Sequence, residues 1–142
     1  MTDRSIGPPY RSSDSSVVDN VQIRAATPTE AEAVIDVLDA ALLAFDRDTV
    51  RAPDPTTIVL VADPGDRLIG AALVVADELV AVAVRPRWRR QGIGSALVSA
   101  AKARRDRLSI SCREDLATFY ARLGFDMHTA ADGEMQGVWH SE

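Results

Sequence analysis

The chain has 142 residues, enough for one domain with a single core, and its 46% hydrophobic content is that of a folded chain rather than a disordered one. A formal net charge of −5 supplies no global basic field, which argues against general nucleic-acid binding. The single cysteine, Cys112, excludes an internal disulfide and fits a reducing compartment.

No apolar stretch reaches the ~18 residues that a spanning helix needs, so no membrane partner is expected. Residues 1–5 lack the apolar region of a secretory signal, and the expected location is the cytoplasm. Residues 1–19 are rich in Ser, Pro, Asp and Arg and hold few apolar anchors, which predicts a flexible N-terminal tail ahead of a domain over 20–142. Val21-Gln22-Ile23-Arg24 alternates apolar and polar, the pattern of a half-buried first strand. In Thr27-Pro28-Thr29-Glu30, Thr27 can cap a helix, Pro28 suits its first position, and Glu30 completes a capping box. Val34, Ile35, Leu38, Ala41, Leu42 and Phe45 then recur at helical spacing. Residues 46–55 are polar with two prolines and predict a short helix or loop.

Ile58-Val59-Leu60-Val61-Ala62 reads as a strand closed by the turn Asp63-Pro64-Gly65-Asp66. Residues 68–76 and 79–84 are two more strands, and the three form an antiparallel meander. Their apolar runs barely alternate, which predicts burial on both faces. A helix from Ile93 to about Arg105, a strand over 108–112 and a helix over 114–123 follow, with Gly124 just past the last helix end. Residues 125–129 and 134–139 can pair as a closing hairpin through Asp132-Gly133. The strand–helix–strand unit should be a right-handed parallel crossover, so the sheet is mixed. The fold class is α/β (α+β), with about six to seven strands flanked by about four helices.

Between the third meander strand and the next helix lies Arg89-Arg90-Gln91-Gly92-Ile93-Gly94. Two glycines let a backbone come close to a ligand, and a helix start offers unpaired N–H groups that attract anions. With the arginines beside them, this loop reads as a site for a phosphate, a pyrophosphate above all. The dinucleotide fingerprint wants a small residue where Leu97 stands, and a P-loop wants a lysine after Gly94 where Ser95 stands. Both nucleotide readings therefore lose ground. Cys112, His128 and His140 show no metal-ligand spacing, so no metal is expected, and Cys112 reads as a small core residue.

The loop resembles the coenzyme A signature Arg/Gln-x-x-Gly-x-Gly/Ala of the GCN5-related N-acetyltransferase (GNAT) superfamily. Phe119-Tyr120-Ala121-Arg122-Leu123-Gly124-Phe125 is similar to the same family's Phe-Tyr-x-x-x-Gly-Phe segment. The resemblance covers about residues 21–140. It implies an acetyl-CoA-dependent N-acetyltransferase, with coenzyme A as co-substrate, a primary amine as acceptor, and no metal. The cofactor's pyrophosphate would be held by Arg89, Arg90, Gln91, Gly92, Ile93, Gly94 and Ser95, the glycines allowing close approach. The pantetheine arm would add like a strand beside Val82, Ala83 and Val84, where two family strands splay apart. Tyr120 would be the general acid to the departing thiolate, with a buried, satisfied core tyrosine as its bland counterpart. Glu78 would be the candidate base, with Asp77 second; both also suit a turn. Arg104, Arg105 and Arg107 are candidates for the 3′-phosphate, or else a solvated helix end. Family members commonly form homodimers, and nothing in this sequence specifies one. A non-catalytic acyl-CoA-binding domain would keep the loop and have no need of Tyr120.

Overall fold

Alternation at the start of the domain produces β2 (Val21–Ala25), in which Val21 and Ile23 are buried while Gln22 is exposed. The structure, a computed structural model, describes residues 16–18 and 20–141. Residues 16–18, which the sequence reading assigned to the tail, pair antiparallel with β2 as a short edge strand, β1 (Ser16–Val18). The rest of the predicted tail, residues 1–15 and 19, lies outside the described residues.

Glu30 takes up the predicted capping role, its carboxylate accepting the Thr27 N–H at 2.8 Å. The first turn, Pro28–Glu30, is 3-10, and α1 (Ala31–Ala40) follows. The polar stretch holds the short helix α2 (Arg47–Arg51), its start capped by the Asp46 carboxylate through the Asp48 N–H. Then come β3 (Thr57–Asp63), β4 (Gly70–Val75), β5 (Glu78–Val84), α3 (Ile93–Lys102), β6 (Arg107–Cys112), α4 (Ala117–Arg122), β7 (Asp126–Thr129) and β8 (Met135–His140). The predicted helix over 114–123 begins as a 3-10 turn at Glu114–Leu116, and α3 ends three residues before Arg105.

The sheet is mixed, in the order β1-β2-β3-β4-β5-β6-β8-β7. Strands β1 to β5 are antiparallel neighbours, as the predicted meander requires, and among the described residues only β5 and β6 pair in parallel. The closing hairpin forms, but β8 rather than β7 lies against β6. Helices cover both faces. On one, Val34, Leu38 and Val50 pack on Val61, Ala71, Leu73 and Ala83. On the other, Ile93, Leu97 and Ala101 pack on Ile23, Leu60, Ala72 and Leu108. Burial on both faces explains the continuous apolar runs of β3 and β4. Leu60, Leu97 and Leu108 are wholly buried, each burial worth about 1.5–3 kcal/mol.

One break interrupts this sheet. β4 and β5 slip register beside Leu73 and Val74, leaving Val80 as the extra residue of a bulge. Beyond it β5 and β6 part. Their ladder has one register pair, Glu78 with Ser109, backed by a 2.8 Å bond from the Ser109 N–H to the Asp77 carbonyl.

Candidate active site

The gap between β5 and β6 opens into a cavity of about 570 Å³. Val82 and Val84 line one wall, Gly92, Gly94 and Ser95 close one end, and Tyr120 closes the other side. Residues far apart in sequence therefore meet because the strands fail to pair.

Strand alternation decides which backbone groups face the gap. The Arg85 N–H donates to the Ile69 carbonyl at 2.8 Å, so residue 85 turns toward β4, and with it Ala83 two positions earlier. Val82 and Val84 then present their N–H and C=O groups to the opening. Ala83, which also lines the cavity, differs from them: its backbone is taken up by β4 and its side chain is buried under α1 and α2. The Val84 carbonyl already accepts the Arg89 Nε at 2.9 Å, which leaves the Val84 N–H and both Val82 groups.

At the closed end, Gly92 is the residue before α3 and has φ +85, a left-handed conformation that glycine adopts without strain. A Cβ there would meet no protein atom within 4 Å, so Gly92 opens directly onto the cavity, and its positive φ is the backbone reason for a glycine. Arg90 also takes a positive φ of 65. The turn aims the first N–H groups of α3, at Ile93, Gly94 and Ser95, at the cavity; helix geometry gives them no intrahelical acceptor. Ile93 contributes only backbone, because its side chain is 1% exposed in the core. Gly94 lies against Phe119, where an added Cβ would sit at 3.5 Å from Cζ, an ordinary contact. Arg89 and Arg90 line the cavity, whereas Gln91 faces a neighbouring hollow and donates to the Arg87 carbonyl at 3.4 Å.

Tyr120 is 8% exposed, held edge-on by Phe119 and Phe125 with ring centroids 4.9 and 5.6 Å away. Burial, and secondarily the neighbouring Cys112, push its phenol up to about 12. No hydrogen bond from its hydroxyl to a described residue is present, and the side chain lines the cavity. The Cys112 thiol is half-buried and raised, chiefly by burial and next by Glu134, which makes it a poor nucleophile.

Three expectations fall elsewhere. Glu78 begins β5 at the end away from Val84, is exposed, and lines neither this cavity nor the groove beside it. Asp77 is ion-paired with Arg107. Arg105 donates to the Ala76, Arg104 and Thr56 carbonyls, and Arg104 to Ala100, so this basic run buckles the C-terminal end of α3 to the sheet, far from the loop at its N-terminus. Trp88, beside the loop, also lines the cavity, and so does Leu116, which belongs to no motif that would single it out. Among the described residues no group of three His, Cys, Asp or Glu side chains could hold a metal ion, and no helix is long and apolar enough to cross a membrane.

Comparison with known proteins agrees with this architecture. The structure is similar to an acetyltransferase from Thermus thermophilus, with a TM-score of 0.66 and 16% identity over 87% of this chain and 98% of that one. It is similar to the ribosomal-protein-S18-alanine N-acetyltransferase of Escherichia coli, with a TM-score of 0.64 and 21% identity over 83% and 90% of the two chains. A GNAT family acetyltransferase from Elizabethkingia anophelis with acetyl-CoA bound gives 0.61 and 17% over 86% and 99%. No curated protein sequence matches. Residues 55–127, from β3 through the loop and Tyr120 into β7, match the acetyltransferase (GNAT) domain, and the chain belongs to that family.

Proposed function

We propose that the protein is an N-acetyltransferase that uses acetyl-CoA and transfers the acetyl group directly to a primary amine, with Tyr120 as general acid. The observation that carries this reading is the convergence of three features on one cavity: an anion-binding helix start, an unpaired strand edge, and a buried phenol without a described partner. Their chemistry fits the co-substrate. The N–H groups of Ile93, Gly94 and Ser95, with Arg89 and Arg90, would hold the pyrophosphate. The free groups of Val82 and Val84 would pair with the amides of the pantetheine arm, as an added strand does.

Acetyl transfer needs a neutral amine, a donor to the oxyanion that forms at the carbonyl, and a proton for the departing thiolate. The Val84 N–H faces the opening and suits the second need. Tyr120 suits the third, because a phenol held at about 12 keeps its proton at neutral pH. The scheme leaves the base unassigned, because Glu78 does not line the cavity. The relative with bound acetyl-CoA supports the choice of donor.

The test is a pair of measurements: thermal melting with acetyl-CoA, ATP or NAD, and thiol release with a panel of amines. The expected result is stabilisation by acetyl-CoA alone and amine-dependent release of coenzyme A. Stabilisation with no release for any amine would make this a binding domain; stabilisation by ATP or NAD instead would overturn the donor.

A further inference from the structure

A second groove continues from the cavity past Tyr120, sharing Val82, Arg89 and Leu116 with it. Its walls are the segment after α1 on one side and the β6–β8 edge on the other, and its floor is the apolar stretch of β5 around the bulge. Two of its features are unexplained by packing.

The first is Leu42. It is 93% exposed and has a φ of +58. The backbone reason is a helix-ending motif: the Leu42 N–H donates to the Asp39 carbonyl at 2.9 Å and the Leu43 N–H to Leu38 at 3.5 Å. Glycine is the usual residue at this position because it takes the left-handed turn without strain. A leucine there bears the strain and gains no burial for its side chain. Leu42 and Leu116 are also the two exposed large apolar residues among the described ones, and both line this groove.

The second is Glu134, the only carboxylate lining the groove among the described residues. It sits just before β8, and its Oε1 accepts the Ser111 hydroxyl at 3.0 Å, which fixes its direction. By register it stands across from Arg113, since Cys112 pairs with Met135. Arg113 turns instead to Asp115, at 3.4 Å, and the other groove arginine, Arg89, donates its Nε to Val84. Glu134 is thus a negative charge at the groove with no described cation paired to it.

Resting on the acetyl-transfer reading above, we infer that the groove selects a primary amine carrying an apolar group, with Glu134 receiving the ammonium and Leu42 the apolar part. The amine enters as a cation, is placed beside Tyr120 and the open edge of β5, and loses its proton to solvent water. Its nitrogen then attacks the thioester carbonyl, the C–S bond breaks, and Tyr120 protonates the departing thiolate. Glu134 acts here as a positioning residue, and Ser111 holds it in place.

The experiment measures thiol release from acetyl-CoA with 3-methylbutylamine, ethanolamine and spermidine, on the wild type and on E134Q, E134D and L42S. Both positions are exposed, and an unchanged melting shift with acetyl-CoA checks that folding and donor binding survive. The wild type should prefer 3-methylbutylamine over ethanolamine by at least about tenfold in kcat/KM, the low end for one methylene group in an apolar pocket. L42S should erase that preference. E134Q should raise KM for each amine about tenfold with a smaller change in kcat, and E134D should recover part of the loss. An unchanged KM in E134Q, equal use of ethanolamine or spermidine, or a preference that survives L42S would overturn the inference, as would a wild type that binds acetyl-CoA and uses none of the three amines. Absence of both the melting shift and thiol release would instead remove the acetyl-transfer reading, and this inference with it.

Discussion

Tyr120 occupies an environment that raises its pKa, and its hydroxyl bonds no described residue while its side chain lines the cavity. Removing only the oxygen should therefore spare the fold. Tyr120→Phe is expected to melt near the wild type while losing about a hundredfold in kcat, the usual scale of a general acid. The pH dependence has a definite sign. The phenol is raised from 10 unfolded to about 12 folded, so its contribution to stability is intact below pH 10 and is lost as pH rises through 12. For turnover, kcat/KM should climb with pH as the acceptor amine loses its proton, with no falling limb from Tyr120 below about pH 11; such a limb near neutrality would exclude this phenol as the acid. Gly92 and Gly94 should separate in the same assays. Gly92→Ala forces φ +85 on a residue with a Cβ, at about 1 kcal/mol, and should raise the KM for acetyl-CoA. Gly94→Ala meets only the ordinary 3.5 Å contact with Phe119 and should fold as the wild type does.

Elements are held together by contacts of two ranges, and the range decides what the sequence discloses. The loop before α3, the start of α1 and the hairpin turn at Gly133 all arise from residues a few positions apart, so their chemistry is readable in order. Arg105 reaches carbonyls 29 and 49 positions away, and nothing near it in sequence hints at that. Trp139 is similar: it stacks under Lys102 at 4.9 Å and against Gly124, packing on the core at the end of α3. The candidate site is readable in the sequence at its loop and at Tyr120, whereas Glu134 is there one of 21 acidic residues and Leu42 one more position at helical spacing; only the groove that both line sets them apart. Another long-range tie carries a prediction. Arg24 on β2 donates to Glu30 at 2.7 Å and to Asp63 at 2.8 Å, joining β2, the start of α1 and the end of β3. Arg24, by direct hydrogen bonding, holds Glu30 down at about 2 against an ordinary 4.5, and lowers Asp63 as well. A lowered carboxylate stabilises above its unfolded pKa and stops doing so as pH falls through the folded one. Glu30→Gln should thus cost about 1–2 kcal/mol at neutral pH, discounted for partial exposure, and the gap from wild type should close between pH 4.5 and 2 in urea melts.

Across the whole molecule, the sheet is continuous everywhere except between β5 and β6, where the bulge at Val80 ends pairing after one register pair. Strand order gives the reason this break lies in the middle of the sheet rather than at an edge: β8 inserts beside β6 and anchors it along its whole length, from Arg107 opposite His140 to Cys112 opposite Met135. β5 is anchored equally by β4. Each flank of the opening is therefore held by a ladder of its own. An unpaired edge inside a sheet is normally a liability, and here it is a place for a substrate to complete. Hydrogen exchange should reveal it residue by residue. In the free protein the Ala83 amide, bonded within the β4–β5 ladder, should exchange slowly, whereas those of Val82 and Val84, which face the gap, should exchange faster. Saturating acetyl-CoA should slow Val82 and Val84 selectively, beyond the global gain of about 2.7 kcal/mol expected at a hundredfold excess over Kd. Equal slowing of all three amides would mean that binding stabilises the fold without pairing to β5, and the strand-like docking of the donor would have to be abandoned.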